Sequence, residues 1–217
     1  MNYLAALLSC TLASAALAAE PPRLVSFPTA DGGTIYADLY GEGGRNGIVL
    51  AHGAAFEKSS WHALAEQLAA KGFRVLAIDF RSWGKSTLGE TKNALFEDVL
   101  GAVRYLRGNG AAHVSVVGAS MGGGAAGEAA ARASAGEIDR VVLLSPTPFA
   151  APERTGGDKL VVASEDEPAV ERIKALYEKM PAPKRLVLLP GTAHAQHIFP
   201  TEQGERRTAT VTDFLAR

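Results

Sequence analysis

The chain has 217 residues, 47% of them hydrophobic and 21% charged, enough apolar material for one globular domain with a sizeable core. Its 22 Lys and Arg against 23 Asp and Glu leave a formal net charge of -1, so no basic excess is present to draw nucleic acid or an anionic membrane surface, and the expected partners are neutral or small molecules. The only cysteine is Cys10; if it is lost with the leader described next, disulfides, thiolate catalysis and cysteine-ligated zinc are excluded.

In chain order, the first feature is that leader. Residues 1–18 carry no charged side chain, Tyr3 to Ala19 is almost wholly apolar or small, and the run closes on Ala16-Leu17-Ala18, a small-x-small cleavage pattern. It is too short to span a bilayer comfortably. It is therefore expected to be a secretory signal peptide, cleaved after Ala18 to export a 19–217 domain to the periplasm or beyond, without stable membrane insertion. The apolar run continues past Cys10, whereas a lipoprotein processing site closes the hydrophobic region, so lipid anchoring is disfavoured.

Arg23 to Ala30 and Thr34 to Tyr40 read as two strands joined at Asp31-Gly32-Gly33, because an Asp-Gly step between alternating apolar residues is a hairpin signal. From Gly47 the pattern changes. Short aliphatic runs, Ile48–Ala51, Val75–Ile78, Val114–Val117, Val141–Leu144, Leu160–Ala163 and Leu186–Leu189, alternate with segments of helical period. Continuous apolar runs of this length suit strands covered on both faces. Between them, Trp61, Leu64, Ala65, Leu68 and Ala69 share one helical face, as do Val99, Val103 and Leu106, and Val170, Ile173, Leu176 and Tyr177; a last helix is expected over Glu205–Leu215. The alternation predicts an α/β fold with a parallel sheet flanked by crossover helices, whose site lies in the loops at the carboxyl ends of the strands.

Three of those loops hold chemistry. Gly118-Ala119-Ser120-Met121-Gly122 stands between a strand and a helix, and a serine on so sharp a turn needs small neighbours on either side. Its hydroxyl is then the candidate nucleophile, and the Met121 N–H at the helix start is placed to stabilise an oxyanion. A serine hydroxyl needs a base held by an acid. The next two strand ends offer Ser164-Glu165-Asp166-Glu167-Pro168 and then Pro190-Gly191-Thr192-Ala193-His194, with His197 three residues further on. The Pro-Gly-x-x-His spacing favours His194 as the base, with His197 lining the site or bonding within the loop. No third ligand cluster is visible beside the two histidines, so no metal is expected, and the chemistry calls for no cofactor.

Together these motifs resemble the α/β-hydrolase superfamily over essentially all of residues 19–217. His52-Gly53 after the first buried strand is similar to the HG oxyanion turn of that family, and Asp79-Phe80-Arg81-Ser82-Trp83-Gly84-Lys85-Ser86 is similar to its DxRGxGxS loop, with Ser82 where glycine is usual. The resemblance implies a mostly parallel eight-stranded sheet and a second oxyanion amide at Ala54, with Ala55 as the fallback and His52 structural. It also implies that the acid is Asp166, because Ala163-Ser164-Glu165-Asp166 stands where G-x-x-D is usual; Glu165 and Glu167 remain competitors.

The expected activity is that of a serine hydrolase attacking the ester or related acyl bond of a small-molecule substrate. Peptidase, thioesterase and cofactor-free peroxidase chemistry are the alternatives on the same scaffold, and an inactive binding protein is the alternative outside it. Only about a dozen residues separate Ser145 from the strand beginning near Lys159, too few for a cap domain. Phe56, Trp83, Phe149 and Phe199 are the aromatic residues expected either to line an open site or to belong to the core.

Overall fold

A computed structural model describes residues 21–41 and 43–217. The expected leader, its cleavage after Ala18 and Cys10 lie outside the described residues. The chain forms β1 (Arg23–Pro28), β2 (Thr34–Tyr40), β3 (Asn46–Ala51), α1 (His62–Ala70), β4 (Arg74–Ile78), α2 (Leu95–Gly108), β5 (His113–Ala119), α3 (Met121–Arg132), β6 (Arg140–Leu144), β7 (Asp158–Ser164), α4 (Val170–Lys179), β8 (Lys184–Leu189) and α5 (Gly204–Leu215). The strands make one eight-stranded sheet in the order β1-β2-β4-β3-β5-β6-β7-β8. β2 is antiparallel to both β1 and β4, and every other pair is parallel.

Alternation along the buried strands divides the core into two layers. Val49 and Ala51 of β3, with Leu76 and Ile78 of β4, belong to the layer that also contains Val99 and Val103 of α2, Ala126 of α3 and Ile173 of α4. Ile48, Leu50, Val75 and Ala77 point the other way, into the layer that contains Leu64, Ala65 and Leu68 of α1 and Val211 and Phe214 of α5. Each aliphatic strand therefore feeds both layers, which is why these segments are apolar at consecutive positions rather than at every second one.

Most strands extend a residue or two beyond the apolar runs read from the sequence, and at two strand ends the reason for a difference is identifiable. β1 stops at Pro28 rather than Ala30, because the Thr29 hydroxyl accepts the Gly33 N–H at 2.8 Å and draws residues 29–33 into the hairpin turn. β5 runs on through Gly118 and Ala119, because Ala51 of β3 and Leu144 of β6 continue to pair with them. The chain leaves β3 toward β4 on one side and later returns to β5 on the other. The carboxyl ends of β3 and β5 are thus neighbours at a topological switch point, where an α/β sheet opens a crevice. Between β6 and β7 lie only residues 145–157, containing a single short turn of 3-10 helix at Pro152–Arg154, so among the described residues this connection inserts no cap over that crevice.

Candidate active site

The first strand end at the switch point is the turn into α3. Ser120 has φ 50° and ψ -112°, a sparsely populated combination costing on the order of 1–3 kcal/mol that persists only where the surroundings impose it. The surroundings are closely packed. A Cβ on Gly122 would come within 2.3 Å of the Ala51 carbonyl oxygen, one on Gly118 within 2.2 Å of the Gly122 oxygen, and one on Gly124 within 2.2 Å of the Thr147 hydroxyl. Glycine is a poor helix former, yet α3 opens on three of them because its first turn lies directly against the end of β3. The Met121 N–H belongs to that first turn, where no helical carbonyl is available to it and the positive end of the helix dipole favours developing negative charge.

The second strand end supplies the candidate base. His194 leads into a 3-10 turn at Ala195–Ile198, and its Nε2 lies 2.9 Å from Ser120 Oγ. Its Nδ1 is hydrogen-bonded to Glu167 Oε2. Ser120 and His194 are thus brought together, but Asp166 is not with them. The Asp166 N–H is fastened to the Gly191 oxygen at 3.0 Å and its side chain is exposed. The chain turns back only at the next residue, where the longer glutamate side chain passes under the imidazole. The acid partner of His194 is therefore Glu167, a correction to the expected Asp166.

Glu167 is 1% exposed and fully bonded. Oε1 accepts the Ser145 hydroxyl at 2.7 Å and the Ser164 N–H at 3.0 Å, and Oε2 accepts His194. Burial by itself would raise its pKa, but the donors from His194, Ser145 and Ser164 outweigh that and hold the carboxyl below its usual range. Glu167 thus stays an anion and a pure acceptor, which directs the Nδ1 proton of His194 toward it and leaves Nε2 to accept from Ser120.

Ser145, which sequence reasoning missed, joins the acid to the base loop. Its hydroxyl donates to Glu167 and accepts the Ala195 N–H at 3.1 Å, from a residue held at φ 43° at the end of β6. Arg207 of α5 was missed as well. It is completely buried, donates from Nη1 to the Ala195 oxygen at 2.6 Å and lies 4.0 Å over the Phe199 ring. Burial pushes its pKa down to about 9, against the pull of Glu167. Neither residue falls within a motif. Each is recognisable only once β6 and α5 are seen beside the loop after β8.

The third strand end is His52-Gly53. His52 is completely buried; Nδ1 donates to the Gly53 oxygen at 2.8 Å and Nε2 accepts the Phe80 N–H at 3.3 Å. Burial lowers its pKa, so the ring is a neutral strut, as expected. The Gly53 N–H donates to Gln196 Oε1 at 2.7 Å, and the Phe56 N–H closes a turn on the Gly53 oxygen at 3.0 Å. Ala54, the expected oxyanion donor, is exposed in that turn. Its N–H donates no hydrogen bond to another described residue.

His197 is exposed, its ring 5.0 Å from that of Phe56. Trp83 sets an edge-on contact to His52 at 5.6 Å. Phe149 packs on α3 at Gly127, and Phe199 packs against Trp61 at 5.8 Å; both are partly buried against the core. Ser82 adopts φ 67° where glycine would be unstrained, and the loop holds because Arg81, 1% exposed, pairs with both Asp31 and Asp98 at 2.7 Å. Among the described residues no cluster of His, Cys, Asp and Glu is arranged to hold a metal ion, and no helix is long and apolar enough to cross a membrane.

A strand-turn-helix serine, a carboxylate and a histidine, in that chain order beyond the carboxyl ends of β5, β7 and β8, define a class, and comparison with known proteins agrees with it. Residues 48–159 match the model of the alpha/beta hydrolase family. That match covers more than half of the chain, and the chain belongs to this family. It is 33% identical over 123 residues to a bifunctional esterase/perhydrolase of Acinetobacter calcoaceticus, covering 55% of this chain and 44% of that protein. It is 32% identical over 144 residues to a 2-hydroxy-6-oxononadienedioate/2-hydroxy-6-oxononatrienedioate hydrolase of Burkholderia vietnamiensis, covering 61% and 49% respectively. The chain thus spans about half the length of the curated relatives it matches. In fold it is similar to an esterase of Pyrococcus furiosus, with a TM-score of 0.76 over 90% of this chain and 92% of that one at 20% identity. The architecture is that of the α/β hydrolases, and among the described residues no cap is inserted between β6 and β7.

Proposed function

We propose that the protein is a serine hydrolase that cleaves ester or related acyl bonds of small substrates through an acyl-enzyme on Ser120. One observation carries the reading: Ser120 Oγ, His194 and Glu167 form a continuous hydrogen-bonded relay with the imidazole oriented from both sides. In the first half-reaction Ser120 Oγ attacks the carbonyl carbon as its proton passes to His194 Nε2. The resulting imidazolium is stabilised by the Glu167 anion. The oxyanion is held by the amides of Met121 and Ala54, each such donor contributing about 10²- to 10³-fold in rate. The proton then goes from Nε2 to the leaving alcohol as the carbonyl–oxygen bond breaks. In the second half-reaction His194 removes a proton from water, whose oxygen attacks the acyl carbon, and Ser120 is regenerated as the acid departs.

One relative's description as an esterase/perhydrolase favours a second reading on the same intermediate. If hydrogen peroxide replaces water in the second half-reaction, the acyl group leaves as a peracid with no change in the relay. Turnover of p-nitrophenyl esters of increasing acyl length, with and without hydrogen peroxide, tests both. The expected result is saturable hydrolysis that falls by at least about 10³-fold in Ser120→Ala and in His194→Ala. Peracid formation in the peroxide arm would add the second activity. Hydrolysis retained in Ser120→Ala would rule out the acyl-enzyme.

A further inference from the structure

We infer that Gln196 is a positioning residue that locks the loop carrying the proposed oxyanion amide to the loop carrying the base. The inference rests on the reading of Ser120, His194 and Ala54 given above. Gln196 stands two residues after His194 in the 3-10 turn, is 5% exposed, and has both ends of its amide engaged. Its Oε1 accepts the Gly53 N–H at 2.7 Å, which only the carbonyl end can do, so the amide has one possible orientation. Its Nε2 donates to the Ser60 hydroxyl at 2.7 Å, and that hydroxyl donates in turn to the Glu57 carbonyl at 2.6 Å. A single side chain thus spans from the base loop to the turn after β3 and onward to the segment leading into α1.

The bridge sets the direction of one particular amide. The Gly53 carbonyl is held by His52 Nδ1 at 2.8 Å and by the Phe56 N–H at 3.0 Å. Across a planar trans peptide the Ala54 N–H must point opposite to that carbonyl. With the Gly53 N–H taken by Gln196, both peptide planes flanking Gly53 are fixed, and Ala54 is the first amide of the turn left to face a ligand. Little slack remains on the other side, where Gly122 of α3 lies against the Ala51 and His52 carbonyls. The backbone that carries Gln196 is equally fixed. The Ala195 N–H is held by Ser145 and the Ala195 carbonyl by Arg207. The base and the oxyanion donor are therefore held as one body, and loss of the bridge lets the donor misalign without removing it.

That distinction sets the size and kind of effect. Removing an oxyanion donor outright costs about 10²- to 10³-fold, so a misaligned donor should cost about 10- to 100-fold, and only in the transition state. The test uses the full chain with Gln196→Ala, Gln196→Glu and Ser60→Ala. It measures kcat and KM on p-nitrophenyl acetate and the inhibition constant of a short alkyl trifluoromethyl ketone, whose hemiketal oxyanion mimics the intermediate. For Gln196→Ala the expected result is a kcat lower by about 10- to 100-fold, a KM within about threefold, and ketone binding weakened in proportion to the loss in kcat/KM. Gln196→Glu, which keeps an acceptor for Gly53, and Ser60→Ala, which keeps the Gln196–Gly53 bond, should fall in between on the same proportionality. They carry the test by themselves if Gln196→Ala does not fold.

Variants with wild-type kcat and unchanged ketone affinity would overturn the inference, as would a rise in KM alone. A wild type that neither turns over esters nor takes a fluorophosphonate on Ser120 would overturn the functional reading beneath it. An active wild type with unimpaired Gln196 and Ser60 variants would overturn the bridge alone.

Discussion

At the scale of single residues, the decisive contrast is between two adjacent carboxylates. Asp166 is exposed and held by its backbone, whereas Glu167 is buried with three donors on its carboxylate. Glu167→Gln should therefore lower kcat by about 10²- to 10⁴-fold, by removing the anion that orients and stabilises the imidazolium, while Asp166→Asn stays within about twofold of wild type. Comparable losses in both variants would contradict this assignment. The same group has a stability signature. Its folded pKa lies below its ordinary value, so it contributes stability above the usual carboxylate range and loses that contribution as the pH falls through the depressed pKa. Denaturant titrations of wild type and Glu167→Gln should accordingly differ most above the usual carboxylate range and draw together as the pH falls below it. A difference that grows on acidification would contradict the sign. Ser120 and His194 were legible in the sequence because each sits at a fixed offset from a strand end. The acid was legible only as a cluster of three, since which carboxylate turns inward depends on how far residues 165 and 166 keep bonding to Leu189 and Gly191. Ser145, Gln196 and Arg207 left no local signal, because their partners lie 22, 143 and 12 residues away in the chain.

At the scale of elements, helix α3 shows packing overriding propensity. A Met-Gly-Gly-Gly-Ala-Ala-Gly opening is a weak helix, but it is what allows the helix to meet β3, Thr147 and Phe149 at backbone distance. Gly122→Ala sets a Cβ against two carbonyl oxygens that belong to the sheet end and cannot rotate away. It should cost about 2–4 kcal/mol in denaturant unfolding and slow Ser120 phosphonylation, since the turn must shift to make room. Gly110, at φ 91° with open space around its Cβ position, offers a contrast in which strain alone acts and the reaction rate should not change. Equal slowing in both variants would show that the effect is not local to the elbow. The strand and helix assignments were largely readable in advance because buried parallel strands are uniformly apolar and the amphipathic helices are periodic. The ends were less so. β1 and β5 end where a threonine hydroxyl or a neighbouring strand decides, and neither is visible in local pattern.

At the scale of the whole molecule, one sheet divides two apolar layers, and each layer contains one of the two tryptophans. Trp61 is fully buried with α1 and α5, and Trp83 packs against the layer that contains α2, α3 and α4. Because every central strand contributes to both layers, the layers should unfold together. The single-tryptophan variants Trp61→Phe and Trp83→Phe should each show fluorescence transitions that superimpose on their own far-UV circular dichroism transition, and separated midpoints would mean independent layers. The overall architecture followed from the strand-helix alternation and the short 145–157 connection, whereas the convergence of three strand ends on one crevice required the strand order itself. The central claim is that this crevice makes Ser120 a nucleophile. Intact-mass and peptide-level analysis of the full chain after fluorophosphonate treatment tests it most directly. The account predicts one adduct per chain on Ser120, formed far more slowly in His194→Ala and absent in Ser120→Ala; an adduct that persists in Ser120→Ala, or a wild type that takes none, would contradict it.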